Sequence, residues 1–313
     1  MQKRLRRRFR GVRPVDERIS RRTTQAWHLG LRDAVGEMSR LDLALLLTLL
    51  LLVFYPPQYV YVSLPLSVMA ICALVVPALR YRPGFWLFAA TLVGIVSVVN
   101  WHTTDNHKYL LAYWCLAICC SLATRDPERS LQTVARWLIV GVISIAVLQK
   151  SLSDDYLSTD FFYFELLFDR RFSGLAQYVG GIQEFVSDLN ASARRALVNY
   201  DSVLTSVKLA SSGQLHDLAR FVTWWNYLVQ CAIAIAFVAP SNSRPAAWRH
   251  PLLLLFIFST YLFAPVIGFG WVLIILGIAQ LERTAVTTRL LYLFAFVLLQ
   301  VYKYPWSTLF PGS

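Results

Sequence analysis

Charge is scarce in this 313-residue sequence: Asp, Glu, Lys and Arg together make up 15% of it. A water-soluble domain of this size carries about 25%. Several familiar signatures are also missing. There is no CxxC pair, no HExxH, no GxSxG and no phosphate-cradling glycine loop, which leaves zinc-hydrolase, serine-hydrolase and P-loop chemistry without support. No internal repeat is visible, and no inverted symmetry of the transporter kind. The five cysteines, Cys72, Cys115, Cys119, Cys120 and Cys231, all sit inside apolar runs, where they read as small packing residues and not as a disulfide framework.

Apolar residues make up the difference. They are 57% of the chain, and the mean hydropathy is +0.50. Runs of about twenty apolar residues recur, each long enough for a membrane helix. Their pattern is helical rather than alternating, and backbone in lipid must satisfy its own hydrogen bonds. The expected fold is an all-α, polytopic integral membrane helix bundle. About seven or eight transmembrane helices are expected, with an outward-facing amphipathic helical insertion.

Four regions follow from composition. Residues 1–40 form a basic N-terminal segment opening MQKRLRRRFRGVRPVDERISRR. A basic flank before a first span is a cytoplasmic anchor by the positive-inside rule, so no nucleic-acid partner is expected. No cleavable signal peptide is expected, because the first apolar run starts late. Residues 41–150 hold transmembrane helices 1–5, the first closed by Pro56 and Pro57. Residues 151–216 have helical periodicity but too many charges to span, and read as short amphipathic helices on one membrane face. Residues 217–313 hold the C-terminal transmembrane helices. Within them Pro251–Leu281 is long for one helix and short for two, with Pro265, Gly268 and Gly270 placed to break it. The side of the C-terminus therefore stays open.

Arginines orient the chain. Arg80 and Arg82, then Arg125, Arg129 and Arg136, then Arg244 and Arg249 mark alternate connections. These belong with the cytoplasmic N-terminus. The 101–108 stretch and the 151–216 segment then face outward, so His107 and Lys150 share one face.

That face carries the candidate chemistry. His107, at the start of the fourth span, feels the positive helix end, which favours the neutral imidazole suited to acid–base work. A wet interfacial histidine is the plainer reading. Lys150, at the end of the fifth span, either snorkels to headgroups or sits in a shielded pocket as a free amine. Asp154 and Asp155 follow closely and either hold that amine charged or cap the next short helix. His102, Asp105 and His107 do not stack on one helical face, so no metal is expected. His28, His216 and His250 read as solvated helix-end residues. Trp101, Tyr109, Trp114, Tyr156, Phe161, Phe162 and Tyr163 form either an interfacial aromatic belt or a slot for a flat ring such as a quinone.

Asn106-His107-Lys108-Tyr109-Leu110 resembles the Asn-His-x-Tyr-Leu motif of the vitamin K-dependent gamma-glutamyl carboxylases and their bacterial relatives, the HTTM-domain proteins. Lys150, Leu152, Asp155 and Tyr156 are similar to that family's lysine, leucine, acid and aromatic. Ser151 stands between Lys150 and Leu152, so the family's lysine position falls on Lys150 with a gap or on Ser151 without one. The resemblance implies an outward-facing active centre. Lys150 and His107 would be catalytic, and Asn106, Tyr109 and Tyr156 would bind substrate. It also implies a reduced, vitamin K-like quinone as cofactor and a place in a bacterial inner (plasma) membrane. Two functions are carried forward. One is carboxylase-like or oxidoreductase chemistry on a quinone- or lipid-like ligand. The other is a non-catalytic membrane subunit or assembly factor, docking a protein partner on the extracytoplasmic face through 151–216. The lipid bilayer is a partner in both.

Overall fold

A computed structural model describes residues 30–56, 59–102, 104, 106–198, 209–261 and 266–302. Most of the basic opening segment, together with Pro57, Asp105 and Pro265, lies outside the described residues. Among those described, the protein is all-helical, with fourteen α-helices. They are α1 (Leu31–Glu37), α2 (Arg40–Phe54), α3 (Val60–Val75), α4 (Pro83–Val99), α5 (Asn106–Leu122), α6 (Pro127–Ser151) and α7 (Asp154–Leu157). There follow α8 (Asp160–Phe168), α9 (Ser173–Tyr178), α10 (Glu184–Val198), α11 (Gly213–Val238), α12 (Arg249–Tyr261), α13 (Ile267–Ile278) and α14 (Val286–Tyr302).

Local chemistry sets the helix ends. Ser39 caps α2 by accepting from the Asp42 amide at 3.0 Å. Asp126 caps α6 by accepting from Arg129 at 3.2 Å, with Pro127 in the first helical position. Ser212 caps α11 by accepting from Leu215 at 3.1 Å. In each case a short polar side chain satisfies an orphaned N–H. At the other end of α11 two arginines serve the orphaned carbonyls. Arg136 donates to Phe237, Val238 and Ala239, and Arg249 to Ala236 and Ala239. Cations belong at that pole of the helix dipole.

Side-chain contacts define two ends of the bundle. At one, Tyr81 donates to Asp42, and Glu128 lies 3.9 Å from Arg40 and 3.8 Å from Arg283. The fully buried Arg289 donates to the carbonyls of Val35, Met38 and Leu281. The arginine-bearing connections named from sequence collect here. At the opposite end Tyr59 donates to Asn100 at 2.7 Å, and Gly268 meets His107 and Tyr55. The helices α2 to α6 and α11 to α14 alternate in direction between these ends.

This arrangement resolves the run Pro251–Leu281. It forms two antiparallel helices, α12 of 13 residues and α13 of 12. As a result α14 finishes at the His107 end. Apolar on every side, α13 is buried almost throughout, as such a helix must be. It packs against α2, α5, α6, α12 and α14. Its glycines permit the close fit: a Cβ on Gly277 would stand 2.6 Å from Tyr292 Cζ.

A second, smaller core gathers Tyr156, Phe162, Leu166, Phe172 and Ile182 from 151–216 onto Leu215, Leu218 and Ala219 of α11. The C-terminal half of α11, with Val229, Ile233 and Phe237, belongs to the main core. One 26-residue helix thus ties the amphipathic segment rigidly to the bundle. Among the described residues two helices, α6 and α11, are long and apolar enough to cross a membrane.

Candidate functional site

Lys150 lies in the last turn of α6, which runs on unbroken from the apolar stretch. Its Nζ donates to Gln230 Oε1 at 2.5 Å and lies 5.4 Å from the centre of the Tyr156 ring. Gln230 Nε2 donates to Asn226 Oδ1 at 2.8 Å, and Asn226 Nδ2 donates to Tyr156 Oη at 2.9 Å. The four side chains form a closed loop in which every amine and amide donor points the same way. Gln230 and Tyr156 are both buried. Burial raises the pKa of the Tyr156 hydroxyl above the usual tyrosine range, and the Asn226 bond offsets that only in part. Tyr156 therefore keeps its proton, and its oxygen accepts from Asn226. Ser151 sits beside this group, its Oγ 2.8 Å from Tyr227 Oη.

The aspartates expected near Lys150 take no part in it. Asp154 and Asp155 are exposed in the first turn of α7, where their charge suits the helix dipole. Among the described residues the ammonium is held by an amide oxygen and a ring face, not by a carboxylate.

His107 occupies a different seam. It is buried in the first turn of α5, its ring 6.0 Å from that of Tyr55. A Cβ on Gly268 would stand 2.6 Å from His107 Cδ2 and 2.7 Å from both Nε2 and Tyr55 Cε1. Only a glycine lets α13 approach here. A cavity of about 20 Å³ lies alongside, lined by Tyr55, Ser97, His107 and Gly268 among others. It has room for one water, and Lys150 is not among its lining residues. His107 lines this small cavity and Lys150 belongs to the hydrogen-bonded loop on α11, both at the same end of the bundle. Tyr156 joins Lys150. Tyr109 donates to the Ser97 carbonyl at 2.7 Å and pins α5 to α4. Asn106 opens α5, and its side chain lies outside the described residues.

Exposed His102 packs edge-on to Trp101. His250, expected to be solvated, is half-buried instead. Its Nδ1 lies 3.2 Å from Tyr292 Oη, and its ring faces Phe237.

On the far side of Asn226 lies a cavity of about 400 Å³, between α8 and α9 on one side and α11 and α12 on the other. Phe162, Phe172, Phe221 and Trp225 supply aromatic walls, and Asn226, Ser259 and Thr260 the polar groups. Trp225 Nε1 donates to Ser259 Oγ at 3.1 Å. An apolar cavity of this size with a few convergent polar groups is the usual form of a small-molecule site. Asn226 is shared by cavity and loop, which couples Lys150 to whatever occupies the cavity. Neither Asn226 nor Gln230 was singled out from sequence. Their signal was there: two amides four residues apart, on one face of an otherwise apolar helix.

Comparison with protein-family models, with curated proteins and with solved structures finds no match.

Proposed function

We propose that the protein is a polytopic integral membrane protein that holds a quinone- or lipid-like ligand at its outer face, beside Lys150. The observation that carries this reading is the Lys150–Gln230–Asn226–Tyr156 loop on the wall of an aromatic cavity. The exposed surface supports the membrane setting. Along α3, Val60, Leu64, Val68, Ile71 and Val75 are all exposed at helical spacing, an outward apolar stripe that water would penalise and lipid would not. Similar stripes run along α4, α11 and α14. The 17-residue helices α4 and α5 reach about 26 Å, close to the ~30 Å hydrocarbon core. The 26-residue α11 reaches about 39 Å, so its first turns would rise above the hydrocarbon and carry 151–216 at the interface. The arginine-rich end would face the cytoplasm of a bacterial inner membrane.

Lys150 lies behind Asn226 in this reading, joined to the cavity wall through Gln230 and Asn226, and is the basic group nearest the ligand along that chain of hydrogen bonds. Gln230 fixes its position and Asn226 contacts the ligand. A reduced quinone, when bound, supplies two electrons and two protons. The aromatic walls and the single amide of the cavity suit such a ring. His107 orders the neighbouring seam. The likeness of Asn106–Leu110 and Lys150–Tyr156 to the carboxylase-like HTTM proteins favours chemistry over passive binding. The test is cellular. Lys150→Met and Asn226→Leu should abolish function while membrane insertion is kept. Variants that insert and function normally would reject the reading.

A second reading is a non-catalytic subunit that docks a protein through 151–216. Tyr178 is 90% exposed, Phe185 66% and Leu189 60%, an apolar patch outside the bundle. A stoichiometric partner lost on Phe185→Asp/Leu189→Asp, with function indifferent to Lys150→Met, would favour this alternative.

A further inference from the structure

We propose that the 400 Å³ cavity selects an uncharged, hydroxyl-bearing lipid and admits it sideways from the bilayer. This rests on the membrane reading above, and it specifies the ligand's chemistry.

Charge is decided by the lining. None of the eleven lining residues is ionisable, and the Lys150 ammonium is engaged by Gln230 behind Asn226, so a carboxylate or phosphate would lose its hydration without a direct charged partner. The route is decided by the rim. Val179, Phe221 and Trp225 line the cavity and are also exposed on the molecular surface, at 56%, 65% and 36%. Phe221 and Trp225 stack, and exposed Trp224 and Leu228 continue the same apolar face of α11. A ligand arriving from water would meet a greasy mouth, whereas one arriving from lipid meets a surface like its own.

The head group follows from the hydrogen bonds left over on Asn226. The side-chain amide has two N–H donors and two acceptor lone pairs. One donor serves Tyr156 and one lone pair serves Gln230. One of each remains for the cavity. Thr260 lines the same space and its hydroxyl likewise both donates and accepts. A ligand hydroxyl satisfies a donor and an acceptor together. A carbonyl or an ether oxygen can only accept, and so makes one of these two bonds where a hydroxyl makes both. The expected ligand is therefore a long-chain alcohol, prenol or acylglycerol type of molecule.

The experiment uses the full chain in phosphatidylcholine nanodiscs with a photoactivatable diazirine analogue of tetradecanol. Labelled peptides are mapped by mass spectrometry. Labelling should concentrate on residues 162–179 and 218–226. Unlabelled tetradecanol should compete, tetradecyl methyl ether should compete roughly tenfold less well, and tetradecanoate at alkaline pH should not compete. Val222→Trp, which fills the cavity, should remove the focus of labelling, and Asn226→Leu should abolish the preference for alcohol over ether. Even labelling of all lipid-facing helices would overturn the assignment. So would equal competition by tetradecanoate, or an alcohol preference that survives Asn226→Leu. The competition series on the unaltered protein stands even where Val222→Trp fails to fold. Carbonate extraction of the source membranes separates the two failures. Protein released to the supernatant rejects the membrane reading. Protein retained in the pellet but labelled diffusely rejects only the cavity assignment.

Discussion

Replacing Gln230 by leucine is the sharpest way to probe the Lys150 loop. Leucine keeps the approximate volume and removes two hydrogen bonds, one from the Lys150 ammonium and one to Asn226. A bond to a charged group contributes about 1.5–3 kcal/mol and a neutral one about 0.5–1.5 kcal/mol. The added apolar contact of leucine returns about 1 kcal/mol. The expected net loss is about 1–3.5 kcal/mol. Much of it comes from an ammonium left without its acceptor, so removing the ammonium as well should reverse it. The double variant Lys150→Met/Gln230→Leu should recover to within about 1 kcal/mol of the parent protein, since apolar replacement of both partners is close to neutral. A double-mutant cycle on reversible unfolding in mixed micelles measures the coupling. It should exceed the ~0.6 kcal/mol average found for interhelical hydrogen bonds in membranes. Effects that add to within about 0.5 kcal/mol would show that the two side chains do not interact, and the loop would be refuted.

Two further outcomes are expected. Gly268→Ala places a methyl 2.6–2.7 Å from His107 and Tyr55. It should lower stability by about 1–3 kcal/mol through overpacking, read as a lower unfolding midpoint, and His107→Ala in the same chain should restore part of the loss. On α8, partial burial pushes the Glu165 carboxyl up to about 7. Its hydrogen bond to Asp169 and that residue's charge add to the rise, while Arg171 and Arg194 oppose it. A raised carboxyl contributes stability that is complete below its unfolded value and is lost as pH climbs through about 7. Measured against Glu165→Gln, the parent protein should therefore lose melting temperature between about pH 4.5 and 7, and the two curves should run parallel above that window.

The helical class was legible because long apolar runs with few charges leave few alternatives. The shared end of His107 and Lys150 followed from counting arginines across alternate connections. The burial of His107 was not legible. It depends on α13 wedging Gly268 against the ring, a contact between residues far apart in sequence. The pairing of α12 with α13 was hidden for a related reason: at 13 and 12 residues each limb falls short of a usual span, and only their enclosure by neighbours explains them. Lys150 and Tyr156 stood out as polar groups at a helix end. Asn226 and Gln230 were masked by the tryptophans and aliphatics around them, although the four-residue spacing of two amides was visible in WWNYLVQC.

The claim on which the rest depends is that the helices cross a bilayer with the 151–216 segment outside. Single cysteines at Ser158 and Ser192 on that segment, and at Thr124 and Ser241 at the arginine-rich end, can be introduced into a cysteine-free chain. All four positions are exposed. A membrane-impermeant maleimide applied to intact cells should label Ser158→Cys and Ser192→Cys, while Thr124→Cys and Ser241→Cys should react only after lysis. Labelling of both pairs from the same side, or the reverse order, would contradict the account.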